Sequence, residues 1–425
     1  AISSWLLTSI TSANEQNTIT FNYTTLPDLQ QLYANDNITV TDLVTDLVYP
    51  SAGMYNASPG QPADAAYKAN FFNDQKNLES INFKNGKVVF ELADEARQDF
   101  GMSNLRKRLK CIKIYNLVGN SYNLIKKIDF YHSCFIRNSS HPYYDGNNDG
   151  IFEISEIYNP DKSKRLKLDR IEITGSAGIN PQVYSFEYNN YTDNYGMPEQ
   201  LAKAVDYWGY YNGKFANSLV PRTDIPYRPR SVDNQEMISI GASAYGTREP
   251  DPVFMQSCML NKITYPTGGY SKFYYETNTY SPTNSPSDIK NAGGLRIQKI
   301  ENYSGISPVP EVKTYVYGEN ESGFGNINFD MHAYFFTAPQ TRRYWMPGAP
   351  GDPPKQAVQT KQVRTFSANP SFSLETYDGS PVAYKYVTEY LGDGTNNIGK
   401  TVYEFNYSPD YVNTVSGIGV HVVQT

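Results

Sequence analysis

The chain has little of what most catalytic sites are built from. Its 425 residues include three cysteines and four histidines. Cys111, Cys134 and Cys258 show no C-x-x-C spacing, so no disulfide framework is written into the sequence. The count leaves a single disulfide open. Cys111 and Cys258 lie in strand-like patterns, which predicts buried free thiols. His132, His141, His332 and His421 have no metal-ligand spacing. No G-x-S-x-G elbow, H-E-x-x-H pair, Walker loop or dinucleotide fingerprint occurs.

Charge is also scarce. Charged residues make up 19% and apolar residues 39%, both below the globular average. Net charge is −6, and a short basic run such as Arg106-Lys107-Arg108 with Lys110 is ordinarily a solvated face, so nucleic acid is not an expected partner. No apolar run reaches the ~18 residues of a membrane-spanning helix, and no secretory leader is visible. The chain begins in mid-pattern at Ala1-Ile2-Ser3-Ser4-Trp5 and stops without a closing feature at Val422-Val423-Gln424-Thr425. The expectation is a processed chain or a piece of a larger polypeptide.

Tyr (37), Gly (30) and Pro (26), with Asn, Ser and Thr, take up the difference. Aromatic, β-branched and turn-forming residues favour many short strands joined by tight turns. A tyrosine on such a strand buries its ring while its hydroxyl reaches water.

The strands come in pairs that look like copies of one unit. Ser4–Thr11 precedes Thr18–Tyr23. Leu168–Ile173 precedes Val183–Tyr188. Ser257–Thr264, then Pro266-Thr267-Gly268-Gly269, precedes Tyr270–Tyr275. Each reads as strand, turn, strand, and Phe-x-Tyr closes the second arm. Leu78–Phe83 and Val88–Leu92 flank Asn85-Gly86, the strongest short hairpin signal. Further pairs are Leu109–Tyr115 with Leu124–Tyr131, Gly293–Ile300 with Lys313–Tyr317, and Val382–Tyr390 with Lys400–Tyr407. Alternation with period two implies one packed face and one wet face. A lone hairpin is marginal in water, and neighbours stabilise one another.

Helix signals are few. Pro27–Tyr33 and Pro198–Val205 are the two candidates, the second with Pro at its first helical position. Three regions follow: hairpins over 1–210, a Gly/Pro-rich connection over 211–255, and hairpins over 256–425. Ala338–Pro354 predicts a long exposed loop near 337–356.

One chemical motif has meaningful spacing. Asp145-Gly146-Asn147-Asn148-Asp149-Gly150-Ile151-Phe152-Glu153-Ile154-Ser155-Glu156 fits the twelve-residue calcium loop. Asp145, Asn147 and Asp149 supply side-chain oxygens, Ile151 its carbonyl, Glu153 a direct or water-mediated oxygen, and Glu156 a bidentate carboxylate. A hard cation needs about 6–8 oxygens. His141-Pro142 and Asn159-Pro160 do not favour flanking helices, so a helix-free calcium loop is expected within an insertion near 138–162. Affinity on the order of 10⁻⁴–10⁻³ M suits such extracellular modules. The competing reading is a polar Gly-rich connection between two strands.

Carboxylates are plentiful enough that a glycosidase pair stays open. Asp206-Tyr207-Trp208 near Glu199 are the first suspects, against a packed aromatic corner. No residue is assigned to catalysis.

Several segments resemble the Rhs/YD-repeat proteins, especially their large Bacteroidota relatives. They are Leu260–Tyr270 with Phe273-x-Tyr275-Glu276, Gly293-Gly294-Leu295-Arg296-Ile297, Val387-Thr388-Glu389-Tyr390-x-Gly392-Asp393-Gly394 with Gly399–Tyr403, and Asp206–Gly213. The resemblance covers roughly 160–410. The strict Tyr-Asp-x-x-Gly signature is missing: Tyr144-Asp145 and Tyr377-Asp378 lack the glycine. The resemblance therefore implies the β-hairpin shell region, on an extracellular or outer-membrane-associated surface, without a catalytic role.

The combined expectation is an all-β chain of repeated antiparallel hairpins in a curved or spiral sheet of the YD-repeat kind, with few short helices. Its function would be a non-catalytic scaffold within a larger polypeptide, carrying structural Ca2+. Its partners would be other segments of that polypeptide or a surface complex. One alternative is a surface binding module for glycan or protein, using exposed aromatics. Another is a carbohydrate-active enzyme.

Overall fold

The computed structural model describes residues 5–26, 29–46, 62–72, 75–99, 106–136, 164–189, 197–198, 202–214, 218–228, 235–242, 247–327, 340–345, 357–368, 377, 380–406, 411–414 and 421–424. Strands dominate them. In chain order they are β1 (Ser9–Thr11), β2 (Thr18–Thr25), β3 (Leu29–Asp46), β4 (Pro62–Phe72), β5 (Lys76–Phe83), β6 (Gly86–Ala96) and β7 (Lys107–Val118). Next come β8 (Ser121–Ile136), β9 (Lys164–Gly175), β10 (Gln182–Tyr188), β11 (Thr223–Tyr227), β12 (Glu236–Ile240), β13 (Leu260–Thr264), β14 (Tyr270–Tyr280) and β15 (Lys290–Tyr303). The last are β16 (Glu311–Tyr317), β17 (Gln340–Trp345), β18 (Ala357–Ser367), β19 (Tyr386–Gly392), β20 (Asn397–Glu404), β21 (Tyr411–Thr414) and β22 (His421–Gln424).

Fourteen strands form one antiparallel sheet in the order β1-β2-β5-β6-β7-β8-β9-β10-β13-β14-β15-β16-β19-β20. The seven expected hairpins are all pairs within it. The expectation of a curved or spiral sheet is corrected: β1 and β20 are separate edges, and the sheet neither closes nor curls. Some details also shift. The β5–β6 turn is centred on Lys84-Asn85, with Gly86 already paired to Phe83. Gly86 has no room for a side chain, because a Cβ there would collide with the Tyr115 carbonyl.

The meander has a consequence for placement. Successive connections alternate between the two ends of the sheet. Short turns at 12–17, 84–85, 119–120, 176–181, 265–269, 304–310 and 393–396 share one end. The segments 26–75, 97–106, 137–163, 189–259, 281–289 and 318–385 all leave from the other. We call this the insertion end.

Three insertions contribute strands of their own. β17-β18-β3-β4 form a second sheet, in which β18 pairs with β3 (Arg364 opposite Val40, Phe366 opposite Ile38). β11 and β12 form a hairpin within the Gly/Pro-rich stretch. Both expected helices are corrected. Leu29–Tyr33 is strand, held by pairing to β4. Residues 202–205 are not helical, because Val205 bridges Tyr211 and the Asn212 amide bonds the Ala204 carbonyl at 3.1 Å. The two helical turns among the described residues are short 3₁₀ segments, Phe254–Gln256 and Glu319–Glu321. The expected long loop near 337–356 contains β17. Cys258 lies before β13 rather than in it, with φ of 62°. The three thiols are free. Among the described residues no helix is long and apolar enough to cross a membrane.

The large sheet is a single layer, and its two faces differ chemically. Cross-strand register places Phe90, Ile112, Ile128 and Ile173 in one row. Phe130, Ile171 and Tyr184 form the next. The opposite face carries ion pairs: Lys113–Glu91 at 2.7 Å, Lys127–Asp129 at 2.8 Å, Arg170–Glu172 at 3.0 Å and Lys262–Glu187 at 2.7 Å. Residues on both faces of the central strands are mostly half-buried. The main described core sits in the insertions. Ile38, Val40, Leu219, Val220, Ile225, Tyr227, Phe366 and Ala368 pack together. Burying each large apolar side chain contributes about 1.5–3 kcal/mol.

Candidate functional site at the insertion end

The segment Ala204–Gly213 forms a tight corner around one carboxylate. Asp206 is fully buried. Its Oδ1 accepts the backbone amides of Trp208 and Tyr210, both at 2.9 Å. An aspartate favours such a turn because its short side chain can cap amides two and four residues ahead. Oδ2 is buried without a hydrogen-bond partner. Burial pushes the Asp206 carboxyl up to about 7, although the Tyr210 and Trp208 amides and the nearby Arg248 pull it down.

Arg248 is the second buried ionisable group of this corner. Its guanidinium donates to the carbonyls of Asp206 (2.7 and 3.2 Å), Tyr207 (3.3 Å), Leu219 (3.1 Å) and Ala368 (2.5 Å). It also lies 5.4 Å from the centre of the Tyr207 ring. One side chain therefore ties the corner to the segment before β11 and to the end of β18. A rigid planar donor set suits that task, and lysine would reach fewer of the carbonyls. Asn212 does the same on a smaller scale. Its Nδ2 donates to the Thr247 and Glu249 carbonyls at 3.0 and 3.2 Å, and its Oδ1 accepts the Lys214 amide at 3.1 Å.

The corner docks on the large sheet through a glycine pair. At Gly293 a Cβ would lie 2.6 Å from the Trp208 Cβ and 2.7 Å from its Cγ. Gly294 has φ of +80° and faces Tyr210. A register shift on β14 between Thr277 and Thr279 turns Asn278 inward. Its Nδ2 donates to the Gly293 carbonyl at 3.1 Å, and its Oδ1 accepts the Tyr384 hydroxyl at 3.1 Å. That hydroxyl also accepts the Thr279 amide at 3.0 Å. Tyr280, Ala292 and Val382 form a small core here, with Trp208 and Tyr384 packed against it.

The glycosidase suspects thus have a structural setting. Asp206 is enclosed by backbone and does not face solvent. Tyr207 is buried, and burial with nearby Glu249 pushes its phenol up to about 12. Glu199 lies outside the described residues. The expected calcium ligands Asp145, Asn147, Asp149, Ile151, Glu153 and Glu156 lie outside them too. Their insertion leaves the large sheet from Ile136 and returns at Lys164, which are paired. It therefore starts at the insertion end from a closed stem. Among the described residues no group of three His, Cys, Asp or Glu is placed to hold a metal ion.

The tyrosines on the charged face are engaged rather than bare. Arg170 lies 4.0 Å above Tyr131, whose hydroxyl donates to Glu172 at 2.8 Å. Lys299 lies 4.1 Å above Tyr274, whose hydroxyl donates to Glu301 at 2.9 Å. Tyr390 donates to Glu321 at 2.6 Å. Each ring has a cross-strand cation and an anion, the usual means of stabilising an exposed sheet face.

Sequence reasoning found the Asp206–Gly213 stretch and missed Arg248. A single arginine in Gly246-Thr247-Arg248-Glu249-Pro250 carries no local signal of burial. No family model matches the chain, and no curated protein matches it either.

Proposed function

We propose that this chain is a non-catalytic extracellular or cell-surface β-repeat scaffold, a part of a larger polypeptide of the Rhs/YD-like kind. One observation carries the reading. Sequential hairpins build one continuous sheet, while every long insertion leaves from the same end of it. That division suits a spine that positions a second body. The corner residues Asp206, Arg248 and Asn212 serve as joints between the two, and apart from Asp206 Oδ2 their polar groups bond backbone. The engaged tyrosines favour scaffold over glycan platform for the same reason.

The partners in this reading are other segments of the same polypeptide or a surface protein complex. The open edges at β1 and β20 leave the sheet extendable by hairpins of the same type. Calcium enters the proposal as a structural ion. Asp145, Asn147, Asp149, Glu153 and Glu156, with the Ile151 carbonyl, would hold it and pin the 137–163 insertion above its Ile136–Lys164 stem.

The test is the intact mass of the polypeptide from its native source, with peptide mapping past Thr425. The expected mass lies well above 48.0 kDa. A native species of about this mass, or a carboxylate-dependent turnover of glycan, would overturn the scaffold reading.

A further inference from the structure

The apolar face of β5 to β10 has no layer upon it among the described residues. No strand outside the large sheet makes more than marginal contact with these six. Register puts Ile81 opposite Val88, Phe90 opposite Ile112, Ile112 opposite Ile128, and Ile128 opposite Ile173. All are half-buried, as are Phe130 and Ile171 beside them. The other face of the same strands is saturated with ion pairs, so the two faces have opposite requirements.

The patch is bounded. Toward β14 the apolar row gives way to polar groups: Ser271 bonds Tyr265 at 3.0 Å and Asn302 at 2.6 Å. Six strands at about 4.8 Å spacing, with about three side chains per strand on this face, span roughly 600 Å². That is at the upper end of what a typical monomer leaves exposed.

We propose that this face is the interaction surface for a second copy of the chain, packed sheet on sheet. Two such patches meeting about a two-fold axis bury roughly 1,200 Å², the lower limit for a stable interface. Two sheets of the same twist pack with their strands about 30° apart and interdigitate isoleucine and phenylalanine across the seam. The inference is independent of the scaffold reading, since it concerns one face of the sheet rather than its edges or its insertions.

Sedimentation velocity of the whole chain from about 1 to about 100 µM tests it, a range that brackets the affinity such an interface supports. The expected result is a concentration-dependent species of about twice 48.0 kDa. Ile128→Thr with Ile171→Thr keeps β-branching and is expected to weaken the dimer roughly tenfold or more. Lys127→Gln, on the charged face, is expected to leave it unchanged. A benzophenone side chain in place of Phe130 provides a readout that does not depend on those variants. Cross-links to the same face of another copy support the proposal. A monomer at every concentration, a dimer indifferent to Ile128 and Ile171, or cross-links only within one chain would overturn it.

Discussion

Replacing Asp206 by Asn should remove a pH dependence from the joint between the large sheet and the insertions. Asn keeps the Oδ1 acceptor for the Trp208 and Tyr210 amides and cannot ionise. In the native chain the carboxyl is pushed up to about 7, chiefly by burial, whereas in an unfolded chain it has its ordinary value near 4. Below about pH 4 both states hold the proton, and the group adds no pH dependence. Between about pH 4 and 7 the folded state holds a proton that the unfolded state has released, so stability falls as pH rises. Above about pH 7 both are ionised and the effect is constant. At about 1.4 kcal/mol per pH unit, raising the pH from 5 to 8 costs about 3 kcal/mol. Hydrogen exchange at the Trp208 and Tyr210 amides reads this locally, which matters in a chain too large for reliable two-state melting. After correction for intrinsic exchange, protection in the native chain should drop roughly 100-fold over that interval and stay flat in Asp206→Asn. The new Asn amide nitrogen takes the unpartnered Oδ2 position and adds a constant loss of about 1–3 kcal/mol, which moves the line without tilting it. Other titrating groups contribute equally to both proteins. Equal slopes in the two would refute the reasoning.

Three further outcomes follow from the same geometry. Arg248→Met leaves the carbonyls of Asp206, Tyr207, Leu219 and Ala368 without this donor and should cost about 3–5 kcal/mol; denaturant unfolding and proteolysis within 189–259 would show it, and wild-type resistance would contradict it. Gly293→Ala should displace Trp208 at a cost of about 1–3 kcal/mol, seen as a red-shifted tryptophan emission, whereas Gly178→Ala, at an open turn, should leave that emission unchanged. Calcium titrated into the chain should release heat and raise the melting temperature, and Asp145→Asn with Glu156→Gln should abolish both; unchanged melting in EDTA would sink the calcium loop.

The hairpins of the large sheet were legible in the residues. Each depends on contacts between neighbours in sequence: Leu78–Phe83 beside Val88–Leu92, or Leu260–Thr264 beside Tyr270–Tyr275, with turn residues between and period-two alternation on both arms. Local chemistry determines such pairs because the loop to be closed is short. The second sheet was not legible. β3 pairs with β18 across most of the chain, and neither strand announces its partner. Leu29–Tyr33 reads as a short helix in isolation and becomes a strand because β4 supplies ladder bonds along it, from Leu29 opposite Phe72 to Tyr33 opposite Lys68. Asp206–Gly213 was visible as an aromatic cluster, yet the burial of Asp206 and the reach of Arg248 exist only once four separate segments meet. Sequence by itself determined the repeating hairpin, the two-faced strands and the calcium-like spacing of Asp145 to Glu156. Tertiary structure alone decided which insertions share an end, which carboxylate loses its water, and that the large sheet stays open, because those outcomes depend on desolvation and long-range closure that no local window contains.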